Sequence, residues 1–177
     1  MMSCDDISAF YNLKEIMESG LIEESSDLYL ILTTYLRRSS GTLWDKAILT
    51  DPSVIKETYQ LSFNGIEKNP NQVFLPVNFF NGVSTLGTLS DYSETKRFIN
   101  KWVGKVHTRY PSSVLKYASA LNAFRNEKYN EVIPLLRGLE FDLTVYRHIS
   151  SCLAIICLLY TSPSPRDATL SRMPSSA

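Results

Sequence analysis

The side chains that could carry chemistry in this sequence do not stand at the spacings that catalytic or metal sites require. His107 and His148 are 41 residues apart, and neither has a serine, cysteine or aspartate at a separation that marks a nucleophile system. The cysteines, Cys4, Cys152 and Cys157, lack the paired spacing of a zinc site or a disulfide framework. We therefore expect free thiols, no catalytic residue, no metal, no cofactor, and a protein that is not an enzyme.

The N-terminal carboxylates and the glycines of the central stretch fit roles in helix capping and helix packing better than roles in catalysis or phosphate binding. Carboxylates at helix starts and turns commonly cap and solvate the backbone. Five acidic residues near the N-terminus occupy such places: Asp5, Asp6, Glu15, Glu23 and Glu24. Gly82 and Gly87 do not form a phosphate loop, because no strand precedes them and no Gly-Lys-Ser/Thr follows. Glycine costs roughly 1 kcal/mol against alanine inside a helix, so these two indicate close approach of a neighbouring helix.

A basic face lies opposite an apolar arc in the clearest amphipathic segment, which predicts one helix over 93–108. The apolar arc consists of Phe98, Ile99, Trp102, Val103 and Val106. The basic residues are Lys96, Arg97, Lys101, Lys105 and Arg109. A solvated outer face is the favoured interpretation. The alternative is a nucleic-acid-associated helical module that uses Arg97, Lys101 and Lys105 to contact phosphate.

Composition favours one globular domain. The chain has 177 residues, 44% of them apolar, with eighteen basic and eighteen acidic side chains, so it can bury a core and has no global charge that favours nucleic acid or an anionic membrane. The longest apolar run, Leu153 to Tyr160, is shorter than the roughly 18 residues needed to span a bilayer. We expect a cytoplasmic protein with no membrane partner.

Apolar residues at intervals of three and four predict helices throughout the N-terminal part. The first runs from Ile7 to about Gly20, and Ser25 or Ser26 caps a second, expected to stop near residues 39–41. Its apolar set is wide enough for burial on more than one side: Leu28, Ile31, Leu32, Tyr35 and Leu36. A short helical segment follows around Trp44, and a third long helix begins at Asp51-Pro52 and ends before Asn69-Pro70.

The central stretch is a repeat of two helical hairpins, clearest over 77–110 and 112–142. Leu89-Ser90-Asp91-Tyr92 and Asn126-Glu127-Lys128-Tyr129 are matching turns, with their tyrosines 37 residues apart. Pro76 opens the first hairpin and Pro111 with Ser112 the second, while Pro134 is expected in the first turn of the helix after Tyr129. A last helix begins near Thr144. The fold class predicted from these patterns is all-α, built of antiparallel helix hairpins.

The repeat resembles the tetratricopeptide family. The first unit matches its pattern in part through Phe79, Gly82, Val83 and Leu86, then Thr95 and Ile99. The second does so through Lys116, Ser119, Ala120 and Ala123, then Val132 and Leu136. The same region is similar to long helical-repeat proteins of Bacteroidota to which no reaction is assigned. That likeness lies in Asp91-Tyr92, Phe98-Ile99, Tyr117-Ala118, Lys128-Tyr129, Leu135-Leu136 and Leu139-Glu140-Phe141.

These resemblances imply a stacked α-solenoid and a noncatalytic scaffold that binds a protein or peptide. The groove would be lined by the first helix of each hairpin, at Asn81, Ser84, Thr88, Tyr117, Leu121 and Arg125. Because the similar proteins are much longer, residues 1–156 are expected to be a fragment of a helical-repeat domain. Val145, Ile149, Leu153 and Ile156 are then expected to face a missing next unit and to make the fragment adhesive.

Residues 157–177 resemble the translation of a sequencing-library adapter rather than a natural protein end. Cys157 to Asp167 and Ser171 to Ala177 match two adapter segments, and the three residues between them fill an index of about eight bases. We expect an artefactual tail that makes no specific contacts from about Ser162 onward. Cys157 to Tyr160 are apolar and continue the helical pattern, so they are expected to extend the last helix.

Deleting Ser162 to Ala177 is predicted to leave the melting temperature unchanged within error. Prolines disfavour helix there, and the serines supply little apolar area to offset the entropy of ordering the chain. Differential scanning calorimetry of the full chain and the truncated chain checks this. A clear drop in melting temperature on truncation would show that the tail belongs to the folded protein.

Overall fold

The computed structural model describes residues 7–69 and 71–161, and this part of the chain is all-α, as predicted. It contains eight α-helices and one 3-10 turn, with no strand among the described residues. The chain divides into two compact units, Met1–Phe74 and Leu75–Ala177. The expectations for Cys4, Asp5 and Asp6 and for the tail from Ser162 lie outside the described residues.

The first unit contains three helices in sequence, α1 (Ile7–Glu18), α2 (Asp27–Asp45) and α3 (Pro52–Lys68). Helix α1 packs on α2, and α2 packs on α3. The predicted caps are confirmed: the Ser26 hydroxyl accepts from the Tyr29 amide at 3.1 Å, and an Asp51 carboxylate oxygen accepts from the Ser53 amide at 2.9 Å. Helix α3 ends one residue before Asn69, as predicted from the following proline.

Helix α2 differs from its prediction in two respects. It runs through Gly41 to Asp45, so the stop at 39–41 and the separate segment around Trp44 are wrong. Burial of Leu43 offsets the cost of one helical glycine. Three side chains predicted to be buried are more than half exposed: Leu28, Ile31 and Tyr35. The buried face instead carries Thr33 and Ser40, whose hydroxyl groups the hydrophobic pattern does not mark.

The second unit contains α4 (Pro76–Leu89), α5 (Tyr92–Trp102), α6 (Pro111–Arg125), α7 (Tyr129–Leu136) and α8 (Thr144–Thr161). Helix α4 contacts α5 and α6, α5 contacts α6, α6 contacts α7, and α7 contacts α8. Tyr92 and Tyr129 each open a helix, as the matching turns predicted. The buried cluster shared by α6, α7 and α8 consists of Ala120, Ala123, Val132, Leu153 and Cys157. Leu153 therefore packs inward, and its expected place facing a missing next unit is wrong.

Three local predictions for this unit are wrong. The helix predicted over 93–108 ends at Trp102 and continues as a 3-10 turn at Val103–Lys105, where Gly104 is a poor helix former. Pro134 is the sixth residue of α7 rather than part of its first turn, and the helix ends two residues later. Helix α6 has no side-chain cap, so Ser112 does not serve as one.

Helix α8 extends through Cys157 to Thr161, so the adapter-like residues continue the helix as expected. Cys157 is fully buried, whereas Leu158, Leu159 and Tyr160 are exposed. Within the described part of the chain, α8 is the one helix that is long and apolar enough to cross a bilayer, with 18 residues and a mean hydropathy of 1.3. One helix of this kind, judged by length and composition alone, is weak evidence for a membrane span, and the cytoplasmic location stays a prediction.

Replacing Gly65 by alanine is predicted to destabilise the first unit. The new Cβ would stand 2.8 Å from Tyr29 Cδ1 and 3.0 Å from Leu30 Cδ2, and overpacking of this kind costs about 1–3 kcal/mol. Gly41→Ala is the matched control, because nothing lies within 4 Å of its Cβ position. That variant should gain about 0.5–1 kcal/mol from lower chain entropy and better helix propensity. Urea unfolding measures both, and equal effects of the two variants would contradict the close approach.

Candidate functional site

The predicted groove residues are not all on the surface. Asn81, Thr88 and Arg125 are exposed, and Ser84 and Leu121 are half-buried. Tyr117 is 2% exposed, with its ring 4.8 Å from that of Phe80 and 5.3 Å from that of Phe141. Its side chain therefore belongs to an aromatic core, and its assignment as a groove-lining residue is corrected.

The α4 and α6 helices approach closely along this predicted groove. A Cβ at Gly87 would stand 3.1 Å from Arg125 Cγ, which confirms that this glycine marks a helix contact. Arg125 Nη2 donates to Ser84 Oγ at 2.9 Å. The arginine thus lies across α4 and occupies part of the surface that a peptide would need.

Two of the three basic side chains in the predicted nucleic-acid contact also pack against the protein's own tryptophan ring. Arg97 and Lys101 are exposed on α5, while Lys105 lies in the 3-10 turn. The ammonium groups of Lys101 and Lys105 lie 5.1 and 4.7 Å from the centre of the Trp102 ring. Cation–π contacts at such exposed sites contribute about 0.5–1 kcal/mol each, so two of the three charges stabilise the protein's own turn.

An apolar cleft of about 470 Å³ opens in the second unit, and of the residues of the two predicted surfaces Arg109 alone lines it. Its size lies within the range of ligand-binding cavities. It is lined by Leu75, Pro76, Val77, His107, Thr108, Arg109, Val114, Phe141, Asp142, Leu143 and Tyr146. Leu75, Val77 and Leu143 remain 46%, 41% and 57% exposed. Large apolar side chains exposed together around a cleft are typical of a binding site.

The rim of the cleft is held by Asp142, which joins two loops. Its carboxylate accepts from Thr108 Oγ1 at 2.7 Å, from Arg109 Nε at 2.8 Å and from the Arg109 amide at 3.4 Å. The hydrogen bonds from Arg109 and Thr108 hold the pKa of Asp142 below its ordinary value of 3.8. Nearby, the Glu140 amide donates to Ser113 Oγ at 3.0 Å, which ties the same loop to the start of α6.

Aromatic rings form the floor of the cleft and keep it uncharged. Tyr146 and Phe141 line it, and the Tyr146 ring lies 5.0 Å from Phe80 beneath. Burial raises the pKa of Tyr117 to about 12. Since the folded-state pKa is raised, the neutral phenol's contribution to stability is fully present below the unfolded-state pKa of 10.0 and is lost as the pH rises towards 12. Burial also raises the pKa of Tyr146, the tyrosine that lines the cleft, so its ring stays neutral throughout the neutral range.

Sequence reasoning missed the cleft because most of its lining residues lie in loops or at the first positions of helices, where the helical pattern does not mark them. Leu75 is the N-cap of α4, and Leu143 immediately precedes α8. The available signal was an apolar residue placed just before a helix start, where a polar cap is usual.

The described residues contain no cluster of side chains that could bind a metal ion. No group of three or more His, Cys, Asp and Glu side chains there lies close enough to hold a metal ion. His107 lines the cleft, and His148 is exposed on α8. The two histidines therefore occupy different environments.

Comparison of the chain with models of protein families, with curated proteins and with solved structures gives no match.

Asp142→Asn is predicted to lower the melting temperature at neutral pH and to have no effect in acid. A depressed carboxyl pKa contributes stability above the unfolded-state pKa, and this contribution is lost as the pH falls through the folded-state pKa. The difference in melting temperature between wild type and variant should therefore narrow as the pH falls below about 4. Asp45→Asn is the control, since it removes an exposed carboxylate from the end of α2. A difference in melting temperature that does not narrow at all as the pH falls from about 4 to about 2 would show that the carboxylate charge is not the cause.

Proposed function

We propose that the second unit is a tetratricopeptide-like solenoid segment and that it acts as a noncatalytic scaffold for a protein or peptide partner. The observation that carries this proposal is the apolar cleft, bordered by the exposed side chains of Leu75, Val77 and Leu143. The cleft takes one apolar anchor side chain from an extended segment of the partner. Such anchors in desolvated pockets supply most of the free energy of binding in many interfaces.

Solenoid stacking is supported by contacts that connect one hairpin to the next. Tyr92 opens the second helix of the first hairpin, and its carbonyl accepts from Asn122 Nδ2 at 3.0 Å. Its hydroxyl donates to Glu131 at 3.3 Å, and Lys128 Nζ lies 3.7 Å from its ring centre. Tyr129, at the matching position, packs against the buried cluster that includes Leu153 of α8, which precedes the adapter-like segment. In a repeat protein each unit packs only on its neighbours, so residues at matching positions of successive units are expected to contact the helices that follow.

The rim fits a peptide better than a charged metabolite. The cleft carries one positive and one negative side chain, Arg109 and Asp142, and these are paired with each other. Peptide N–H and C=O groups can hydrogen-bond to such a pair without bringing net charge. Burying a leucine or phenylalanine from the partner would contribute about 1.5–3 kcal/mol, which fits a weak to moderate affinity built up by several contacts.

Nucleic-acid binding through the basic face has less support. Helix α5 ends before Lys105, so the three basic residues do not follow one continuous helical line. Two of them also lie over Trp102. We therefore keep the protein or peptide partner as the proposed class.

Selection of a phage-displayed random peptide library on the purified chain is expected to enrich peptides that share an apolar anchor residue. Leu143→Glu should weaken their binding by about tenfold or more, because it puts a charge at an apolar contact. Leu28→Glu is the matched control, with a similarly exposed leucine in the first unit. Calorimetric titration of one selected peptide gives the dissociation constants.

Two results would contradict this assignment. Absence of any enriched peptide would remove the proposed function. Peptides that are insensitive to Leu143→Glu but lost in Asn81→Ala or Thr88→Ala variants would instead place binding on the exposed surface of α4.

A further inference from the structure

The hydroxyl group of Tyr146 has no hydrogen-bond partner among the residues that the structure describes. This tyrosine lines the cleft and is only 9% exposed. Its backbone amide donates to the Leu143 carbonyl at 3.2 Å, so the unpaired group is the phenol alone. Buried tyrosine hydroxyls usually have a partner, and leaving one unpaired costs free energy. The molecule that fills the cleft is therefore expected to supply the missing partner.

The other polar side chains of the cleft are paired with one another or lie at its opening. Thr108 Oγ1 and Arg109 Nε donate to Asp142 at 2.7 and 2.8 Å. His107 also lines the cleft, but it is exposed and can hydrogen-bond to solvent. Tyr146 thus combines burial at the cleft with a hydrogen-bonding group that the described chain does not use.

The ring of Tyr146 belongs to a closed cluster of four aromatic rings. Phe80 lies edge-on to Tyr117 at 4.8 Å and to Tyr146 at 5.0 Å. Phe141 lies 5.3 Å from Tyr117 and 5.7 Å from Tyr146. Of these four residues, Phe141 and Tyr146 line the cleft. Aromatic rings at such distances attract one another beyond the effect of burial alone, so this floor favours one further ring.

We propose that the partner's anchor side chain is a tyrosine or tryptophan, whose ring packs on Phe141 and whose O–H or N–H group hydrogen-bonds to the Tyr146 hydroxyl. The inference rests on the proposed peptide-binding function and specifies the chemistry of the anchor. Tyrosine and tryptophan both combine a large apolar body with a polar tip. Leucine and phenylalanine would leave the Tyr146 hydroxyl unpaired. A site with a hydrogen-bonding group discriminates against ligands that lack the matching group.

Anchor-substituted versions of one phage-selected peptide test the proposal in two matched pairs. The first pair carries tyrosine or phenylalanine at the anchor, and the second carries tryptophan or 2-naphthylalanine, so each pair differs in the polar tip. Calorimetric titration should show the tipped member binding about three- to tenfold more tightly to the wild-type chain. Tyr146→Phe should remove this preference and leave binding of the phenylalanine and naphthylalanine peptides unchanged.

Tyr117→Phe is the matched control, because it removes a phenol from the same ring cluster without changing a residue that lines the cleft. It should leave the preference in place. Thermal unfolding supplies a second measurement. Since the Tyr146 hydroxyl has no partner in the described chain, Tyr146→Phe should leave the melting temperature unchanged or raise it. A clear drop would show that the hydroxyl serves the fold instead.

Failure of this inference is distinguishable from failure of the proposed function. Peptides that bind and are weakened by Leu143→Glu, but show no difference within either matched pair, would overturn the inference alone. An equal loss for all four peptides in Tyr146→Phe would also overturn it, because a hydrogen bond to the tip affects only peptides that carry one. A preference lost in His107→Ala but kept in Tyr146→Phe would move the contact to the opening of the cleft. If no peptide binds, both the inference and the proposed function fall.

Discussion

The packing around α6 is the constraint on which the second unit depends. Helices α4, α5 and α7 all contact it. Helix axes can approach to about 8–10 Å only where the facing side chains leave room, and α6 provides this with Ala118, Ala120 and Ala123, all fully buried. Asn122 is the polar exception, and its amide is satisfied by the Tyr92 carbonyl. Larger side chains here would move the helix starts that border the cleft.

Much of the fold could be predicted because its signals are local. Asp51-Pro52 and the tyrosine turns lie next to the helix ends they specify, so no tertiary knowledge is needed to interpret them. Errors arose where packing overrides local preference. Gly41 stays helical because Leu43 beyond it is buried, and the α2 core face uses Ser40 and Thr58, whose hydroxyl oxygens lie 3.2 Å apart. A hydrophobic pattern cannot identify such a face.

The cleft could not be predicted, because it is created by tertiary structure. Asp142 meets Thr108 and Arg109 across more than thirty residues of sequence, and of the residues that border the opening, Leu75 and Leu143 precede helices and Val77 is the second residue of one. The groove residues, by contrast, were assigned by analogy with a repeat family. Tyr117 shows the weakness of such transfer, since its ring packs into a buried aromatic core with Phe80 and Tyr146.

The tyrosine contacts between the hairpins also determine how the second unit comes apart. Tyr92 makes its hydrogen bonds and ring contact with residues of the second hairpin, and Tyr129 packs against the buried cluster that includes Leu153 of α8. Opening one hairpin therefore deprives its neighbour of partners as well. Backbone amides of α5, α6 and α7 would then exchange with solvent through one shared opening event rather than hairpin by hairpin. The two hairpins are separate in sequence, and these contacts predict that they unfold cooperatively.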